Sequence, residues 1–230
     1  RGWPNRLRGQ LDAAYENCVI RRARHLIIIS PYVEQVFGRR FTGQAYCIEN
    51  PCNDRFFDLS RRPIPGRLFF SGYVCARKGV LPLLKALSLL RASHSGAHLR
   101  IAGYTQIEAD YYRLCADYVR HAGLEGAVTF LGQLTQEQIL EEYATCAALV
   151  LPSFQETAPV VIEEAMAAAV PIIATRAGGV PWMIEHGATG LTLPVPQSPG
   201  GDPQALAEML ATVLDDPVTA EAMGQRAKAE

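Results

Sequence analysis

The chain has 230 residues, 49% hydrophobic and 20% charged, which suits one large globular domain or a domain plus a piece of another. Its 22 Lys and Arg nearly cancel its 23 Asp and Glu, so net charge points to no partner, and nucleic acid is not expected as one. No apolar run approaches the ~18 residues that span a bilayer, and the scattered cysteines, with no Cys-x-x-Cys pair or close histidine, argue against a zinc site or a disulfide framework.

Residues 1–67 hold 12 basic and 6 acidic side chains, a balance of +6, whereas residues 68–230 hold 10 and 17, a balance of −7. The split hints at a boundary. The start, Arg1-Gly2-Trp3-Pro4-Asn5-Arg6, has no signal-peptide pattern and no initiator Met, so the chain reads as an excised or processed piece. Leu26-Ile27-Ile28-Ile29-Ser30 reads as a strand, 31–38 as a short helix and 44–48 as a second strand. A Pro- and Arg-rich stretch then runs to Gly66. The expectation is a small strand–helix–strand remnant over 1–55, a linker over 56–67, and the main domain over 68–230. The six cysteines, Cys18, Cys47, Cys52, Cys75, Cys115 and Cys146, several of them in apolar surroundings such as Cys146 before Ala147-Ala148-Leu149-Val150, read as small buried hydrophobes in a reducing cytoplasm.

From residue 68 apolar strands alternate with helical stretches. The expected strands are 68–72, 99–103, 128–132, 148–153, 171–175 and 190–195. The expected helices are 80–93, 107–122, 136–145, 159–169, 203–214 and 217–228, the last two opened by Asp-Pro pairs. Tyr111, Leu114, Tyr118, Ile139 and Tyr143 are the inward candidates of the two more polar helices. Near-continuous apolar strands are those buried on both faces. The fold class is therefore α/β, a Rossmann-like parallel sheet with helices on both faces. Ligands of such sheets bind outside the carboxyl ends of the strands.

Three segments at those ends carry chemistry. In Gly72-Tyr73-Val74-Cys75-Ala76-Arg77-Lys78-Gly79, Lys78 stands between a strand and a helix, where an ammonium can reach a diphosphate. In Pro152-Ser153-Phe154-Gln155-Glu156-Thr157-Ala158-Pro159-Val160-Val161-Ile162-Glu163-Glu164, Glu156 sits in a loop ahead of an apolar helix. The start of that helix offers the amides of Ala158, Val160 and Val161 to an anion. Glu164 lies one turn beyond Val160 among apolar neighbours, so its carboxylate needs a partner, and ribose hydroxyls are a suitable one. Glu163 reads as solvated. In Arg176-Ala177-Gly178-Gly179, the double glycine serves either a tight turn or a close backbone approach to a ligand.

Glu156 to Glu164 matches the Glu-x7-Glu motif, and with Lys78-Gly79, Phe130-Leu131-Gly132, Ala165-Met166-Ala167-Ala168, Pro171-Ile172-Ile173-Ala174-Thr175 and Gly178-Gly179 the chain resembles the retaining glycosyltransferases of the GT-B fold, most closely family 4 (glycosyl transferases group 1). The resemblance covers roughly residues 20–228 and implies the C-terminal, donor-binding half of that fold. It implies no cofactor and no metal, and a nucleotide sugar as substrate, UDP-sugar ahead of GDP- or ADP-sugar. Lys78 would contact the diphosphate beside Gly72. Glu156 would hold the transferred sugar with the amides of Thr157 and Ala158. Val160 would line the donor, Glu164 would bind the ribose, and the backbone of Phe130, Leu131 and Gly132 would line the base. Lys78 and Glu156 are the catalytic candidates.

The pattern departs from the family at Tyr73, where an Arg is usual, at Ala169, where a Gly is common, and at Trp182, where a Glu is usual. Most of the N-terminal acceptor domain is absent from the residues that match, so the fragment is expected to bind donor and transfer little. A degenerate, non-catalytic nucleotide-sugar-binding domain and a GT-B nucleotide-sugar epimerase are the alternatives. A cytoplasmic location is expected, with a peripheral membrane contact through the basic first segment left open.

Overall fold

The computed structural model describes residues 3–230, with side-chain surroundings from residue 13 onward. It divides into two compact units, Arg1–Asn50 and Pro51–Glu230. In the smaller, helix α1 (Trp3–Arg22) is followed by β1 (His25–Ile28), α2 (Pro31–Phe37) and β2 (Gln44–Cys47). The two strands pair in parallel, and Ser30 caps α2 by accepting from the Val33 amide. Helix α1 was not expected from the sequence, because its polar and apolar positions are not segregated onto opposite faces.

The larger unit is built on one six-stranded sheet. Its elements in chain order are β3 (Arg67–Ser71), α3 (Val80–Leu90), β4 (His98–Ala102), α4 (Ala109–His121), β5 (Val128–Gly132), α5 (Gln136–Thr145), β6 (Ala148–Leu151) and α6 (Val160–Ala167). Then follow β7 (Ile172–Thr175), β8 (Leu191–Leu193), α7 (Pro203–Asp215) and α8 (Pro217–Ala229). The strand order is β5-β4-β3-β6-β7-β8 and every pairing is parallel. The order reverses between β3 and β6, which opens a crevice at their carboxyl ends. The fold is the Rossmann-like half expected from the alternating pattern.

Local chemistry sets the boundaries. Thr135 and Gln138 form a reciprocal capping box that starts α5. Asp202 and Asp216 cap α7 and α8 by accepting from the amides of Ala205 and Thr219. Strand β8 is shorter than the 190–195 expected, since Pro194 and Pro196 follow it and cannot donate to a ladder. Leu68, Phe69, Phe70, Leu149 and Val150 are wholly buried between the helical layers. Leu114 is not an inward residue: it is 51% exposed, and α4 turns Cys115 and Val119 inward instead. Cys75, Cys115 and Cys146 are buried free thiols, but Cys18 and Cys47 are exposed and Cys52 is half-buried.

The stretch 56–67 is fastened to this unit along its length. Phe56 lies in the core. Arg61 donates to the carbonyls of Tyr143 (2.7 Å) and Cys146 (2.9 Å) at the end of α5 and to Glu221 of α8 (2.5 Å). The Arg62 and Ile64 amides donate to the carbonyls of Ala144 and Thr145. These are the carbonyls that a helix end leaves without partners, so the segment serves as a long C-cap for α5.

Helix α6 stops at Ala167 because Ala169 takes a left-handed conformation, φ 54°, the only non-glycine residue with positive φ among those described. The Ala169 methyl costs about 1 kcal/mol in that conformation. Ala169→Gly should therefore raise stability by up to about 1 kcal/mol, less the entropy that glycine adds to the unfolded chain. Urea denaturation of the two proteins checks this; a lower midpoint in the variant contradicts it.

Candidate functional site

The site forms where loops leave the carboxyl ends of β3, β4 and β6. Lys78 ends a short 3-10 turn, Ala76–Lys78, and its ammonium lies 2.6 Å from Glu156 Oε1. Both side chains are largely withdrawn from water, at 12% and 6% exposure, so each charge depends on the other for compensation. The turn is tied to the β6 loop by the Phe154 amide, which donates to the Arg77 carbonyl at 2.7 Å.

Two glycines fix where Glu156 stands. Gly79 has φ 71°, and a Cβ there would lie 2.1 Å from the Pro152 carbonyl oxygen. Gly178 has φ 53°, and its Cβ would lie 1.7 Å from the carbonyl oxygen of Glu156 itself. The sequence left the double glycine open between a turn and a ligand contact. The structure makes Gly178 a backbone brace for the Glu156 loop. Thr175, at the end of β7, adds a hydrogen bond from its hydroxyl to the Ser153 carbonyl.

A cleft of about 320 Å³ opens beside this pair. Its floor includes Gly72, Tyr73 and Lys78 after β3, and Gly103 and Tyr104 after β4. Its far wall is Gln133, Leu134 and Ile139 after β5, and Val160 and Val161 at the start of α6. Arg77 also lines it. Tyr73, in the place of a usual Arg, is 42% exposed and tilts against Tyr104 with ring centroids 5.9 Å apart.

Glu164 sits one turn along α6 from Val160. Burial pushes its carboxyl up from the ordinary range, and a hydrogen bond from the Tyr143 phenol pulls partly back. The phenol is 2.8 Å from Glu164 Oε2 and 3.1 Å from the Val161 carbonyl.

The structure thus brings Gly72, Lys78 and Val160 into the cleft wall and joins Glu156 to it through Lys78. Thr157 is exposed and Ala158 half-buried in the loop ahead of α6, and neither forms the immediate wall. Phe130, Leu131 and Gly132 belong to β5, and the wall at that end is made by the next two residues, Gln133 and Leu134. Phe130 packs edge-on against Tyr112 instead. Tyr143, Tyr104 and Gln133 were missed as site residues. Only Tyr143 carried a signal, an aromatic at an inward position of α5. Among the described residues no group of three His, Cys, Asp or Glu side chains is placed to hold a metal, and no helix is long and apolar enough to cross a membrane.

The doubly wound parallel sheet with its glycine-lined crevice at the switch point matches the C-terminal half of a GT-B fold. The family model for glycosyl transferases group 1 matches residues 56–230, and the chain belongs to that family. It is 33% identical over 188 residues to a D-inositol 3-phosphate glycosyltransferase of Corynebacterium glutamicum, covering 77% of this chain and 43% of that protein. It is 29% identical over 234 residues to a glycogen synthase of Mycobacterium tuberculosis, covering 99% of this chain and 54% of that protein. A sucrose-phosphate synthase from Thermosynechococcus elongatus superposes with TM-score 0.78 at 26% identity, over 93% of this chain and 55% of that one. The fold is shared with the Anabaena protein HepE, solved in complex with UDP and glucose, at TM-score 0.78 and 23% identity over 93% of this chain and 59% of that one. The chain spans about half the length of the curated relatives it matches.

The brace has a measurable cost if blocked. Gly178→Ala should destabilise the protein by about 2 kcal/mol more than Gly123→Ala, which has a similar positive φ of 64° but nothing within 4 Å of its Cβ. Equal losses in parallel urea titrations would mean that the Glu156 loop yields without cost.

Proposed function

We propose that the chain is the donor-binding part of a retaining glycosyltransferase that moves a sugar from a nucleoside-diphosphate sugar to an acceptor hydroxyl. The observation that carries this reading is the Lys78–Glu156 pair, 2.6 Å apart and clamped beside a cleft at the switch point of the sheet. In this reading Lys78 exchanges its contact with Glu156 for the diphosphate and stabilises the negative charge that grows on the departing nucleotide. The N-terminal amides of α6 act on the same charge, which supplies its compensation without a metal. Released from the ion pair, Glu156 accepts hydrogen bonds from the hydroxyls of the transferred sugar, with the amides of Thr157 and Ala158 beside it. Glu164 accepts from the ribose. Gln133 and Leu134 extend the base-lining role proposed for Phe130, Leu131 and Gly132.

UDP is the preferred nucleotide, a choice supported by the UDP held in the HepE structure. Donor departure and acceptor attack on one face of the sugar retain its configuration. The acceptor is held by an N-terminal domain supplied elsewhere in the full-length protein, a reading supported by relatives about twice as long as the matched part. Without that domain the chain binds donor and transfers no sugar.

One observation favours a second reading. Tyr73 leaves a single buried cation at the diphosphate position, which suits a binding domain without turnover. Calorimetry with UDP, GDP and ADP tests both. UDP should bind tightest, and Lys78→Ala and Glu164→Ala should each weaken it about tenfold or more. No binding at millimolar nucleotide, or no effect of either variant, sinks the proposal. Tyr73→Arg should tighten UDP if the missing cation limits affinity; an unchanged constant means that the position never mattered. The full-length protein given UDP-N-acetylglucosamine without acceptor should leave the sugar unepimerised.

A further inference from the structure

The carboxylate of Glu164 is on a side chain with three rotatable bonds, half-buried beside Val160 and Val161. Such a group holds one orientation only if something outside its own helix fixes it. That something is Tyr143, which comes from α5 and is wholly buried. Its ring is gripped edge-to-face by Phe56 (centroids 5.2 Å apart, 86°) and by Phe69 of β3 (5.3 Å, 80°). The ring is thereby held in place, and the phenol oxygen donates its one hydrogen to Glu164 Oε2 over an O···O distance of 2.8 Å. Oε1 of the same carboxylate is not engaged by Tyr143, and Glu164 lies behind Val160 and Val161, which line the cleft, and not in the lining itself.

We propose that Tyr143 is a positioning residue for nucleotide recognition, holding Glu164 by Oε2 so that Oε1 meets the ribose hydroxyls of the donor. This rests on the reading that Glu164 takes the ribose. The phenol oxygen also lies 3.1 Å from the Val161 carbonyl, a longer contact that shares the same hydrogen, and Val161 is a residue of the cleft wall. Tyr143 never touches the nucleotide; it acts through Glu164. Its hydrogen bond also opposes the burial that pushes the Glu164 carboxyl up, which keeps more of it ionised and able to accept.

The other titratable groups around α6 are accounted for. Cys52 and Glu163 are the near ones, and the Cys52 thiol is itself pushed up by burial and then by the two carboxylates. On α8, Glu221 is held by Arg61, Arg226 by the Ala188 carbonyl and Lys228 by the Phe57 carbonyl. Beside α6 on the 54–56 turn, Arg55 pairs with Glu137 and Asp54 adds to the charge at Cys52. On α5, Glu141 and Glu142 are paired with Arg62 and Arg100. Strand β7, also against α6, has no titratable side chain. Tyr143 is thus the group whose loss changes Glu164 most directly.

The test is calorimetric titration of UDP and of 2′,3′-dideoxy-UDP into the full-length protein, as wild type, Tyr143→Phe, Glu164→Gln and the double variant. Tyr143→Phe should weaken UDP about three- to tenfold and leave dideoxy-UDP within about twofold. On the Glu164→Gln background it should cost nothing further. The acid limb of UDP affinity should move to higher pH in Tyr143→Phe, since the carboxyl then protonates sooner as pH falls. Equal losses for the two nucleotides, additive losses in the double variant, or an unmoved acid limb would overturn the inference. If Glu164→Gln itself treats the two nucleotides alike, the ribose assignment has failed and the inference falls with it. If Glu164→Gln discriminates and Tyr143→Phe does not, the inference alone fails. Should Tyr143→Phe not fold, 3-fluorotyrosine installed at position 143 keeps the hydroxyl with a more acidic proton. It must then move the acid limb to lower pH, and an unmoved limb overturns the proposal.

Discussion

The loop from Pro152 to Glu156 has no room on either side. Gly79 closes on the carbonyl of Pro152 and Gly178 on the carbonyl of Glu156, each nearer than any residue with a Cβ could come. Three loops that leave three different strands are thereby locked to one another through backbone alone. The consequence is electrostatic. A carboxylate and an ammonium held mostly out of water are stable as charges only in good mutual geometry. Rigid backbone contacts between the loops fix where the two side chains start, which favours that geometry.

The rest of the larger unit reads as support for this arrangement. The parallel sheet brings six strand ends to one edge, and the reversal between β3 and β6 leaves space there. Helix α6 begins at that space and presents amides to it. Its far end is forced to stop by Ala169, in a conformation that an L-residue adopts at a cost. The apolar body of α6, with Ile162 and Ala165 buried, is what sets the depth of Glu164. Packing and polarity therefore act in series: the core fixes the helix, the helix fixes the carboxylate, and the phenol from the neighbouring helix fixes its orientation.

Most of the sheet was legible in the sequence because strands buried on both faces are continuous apolar runs, and each loop that follows is marked by Gly, Pro or Ser. Lys78, Glu156 and Glu164 stood out in the sequence because the first two sit in loops that follow strands and the third on a mostly apolar helix. What was not legible depends on contacts between distant segments. Tyr143 and Glu164 are 21 residues apart, and no local pattern ties a phenol on one helix to a carboxylate on the next. The Pro- and Arg-rich stretch 56–67 reads as a linker because Arg and Pro are usually exposed, yet Arg61 is bonded to carbonyls 82 and 85 residues away. Leu114 misled in the opposite direction: helical spacing allowed it inside, and the rotation of α4 favoured Cys115. Helix α1 was missed because periodicity detects a helix only when its faces differ.

The grip on Tyr143 has a bearing on how this unit can be cut and recombined. One of the two rings that hold the phenol, Phe56, precedes the first strand of the sheet, and Arg61 closes the end of the helix that carries Tyr143. A chimera that takes its C-terminal half from this chain and joins it just ahead of β3 would therefore import the sheet, the cleft and both carboxylates intact. It would leave behind the aromatic wall that aims one of them. The exchangeable module begins at Pro51, with the segment that looks most like a spacer carried along as part of the machinery.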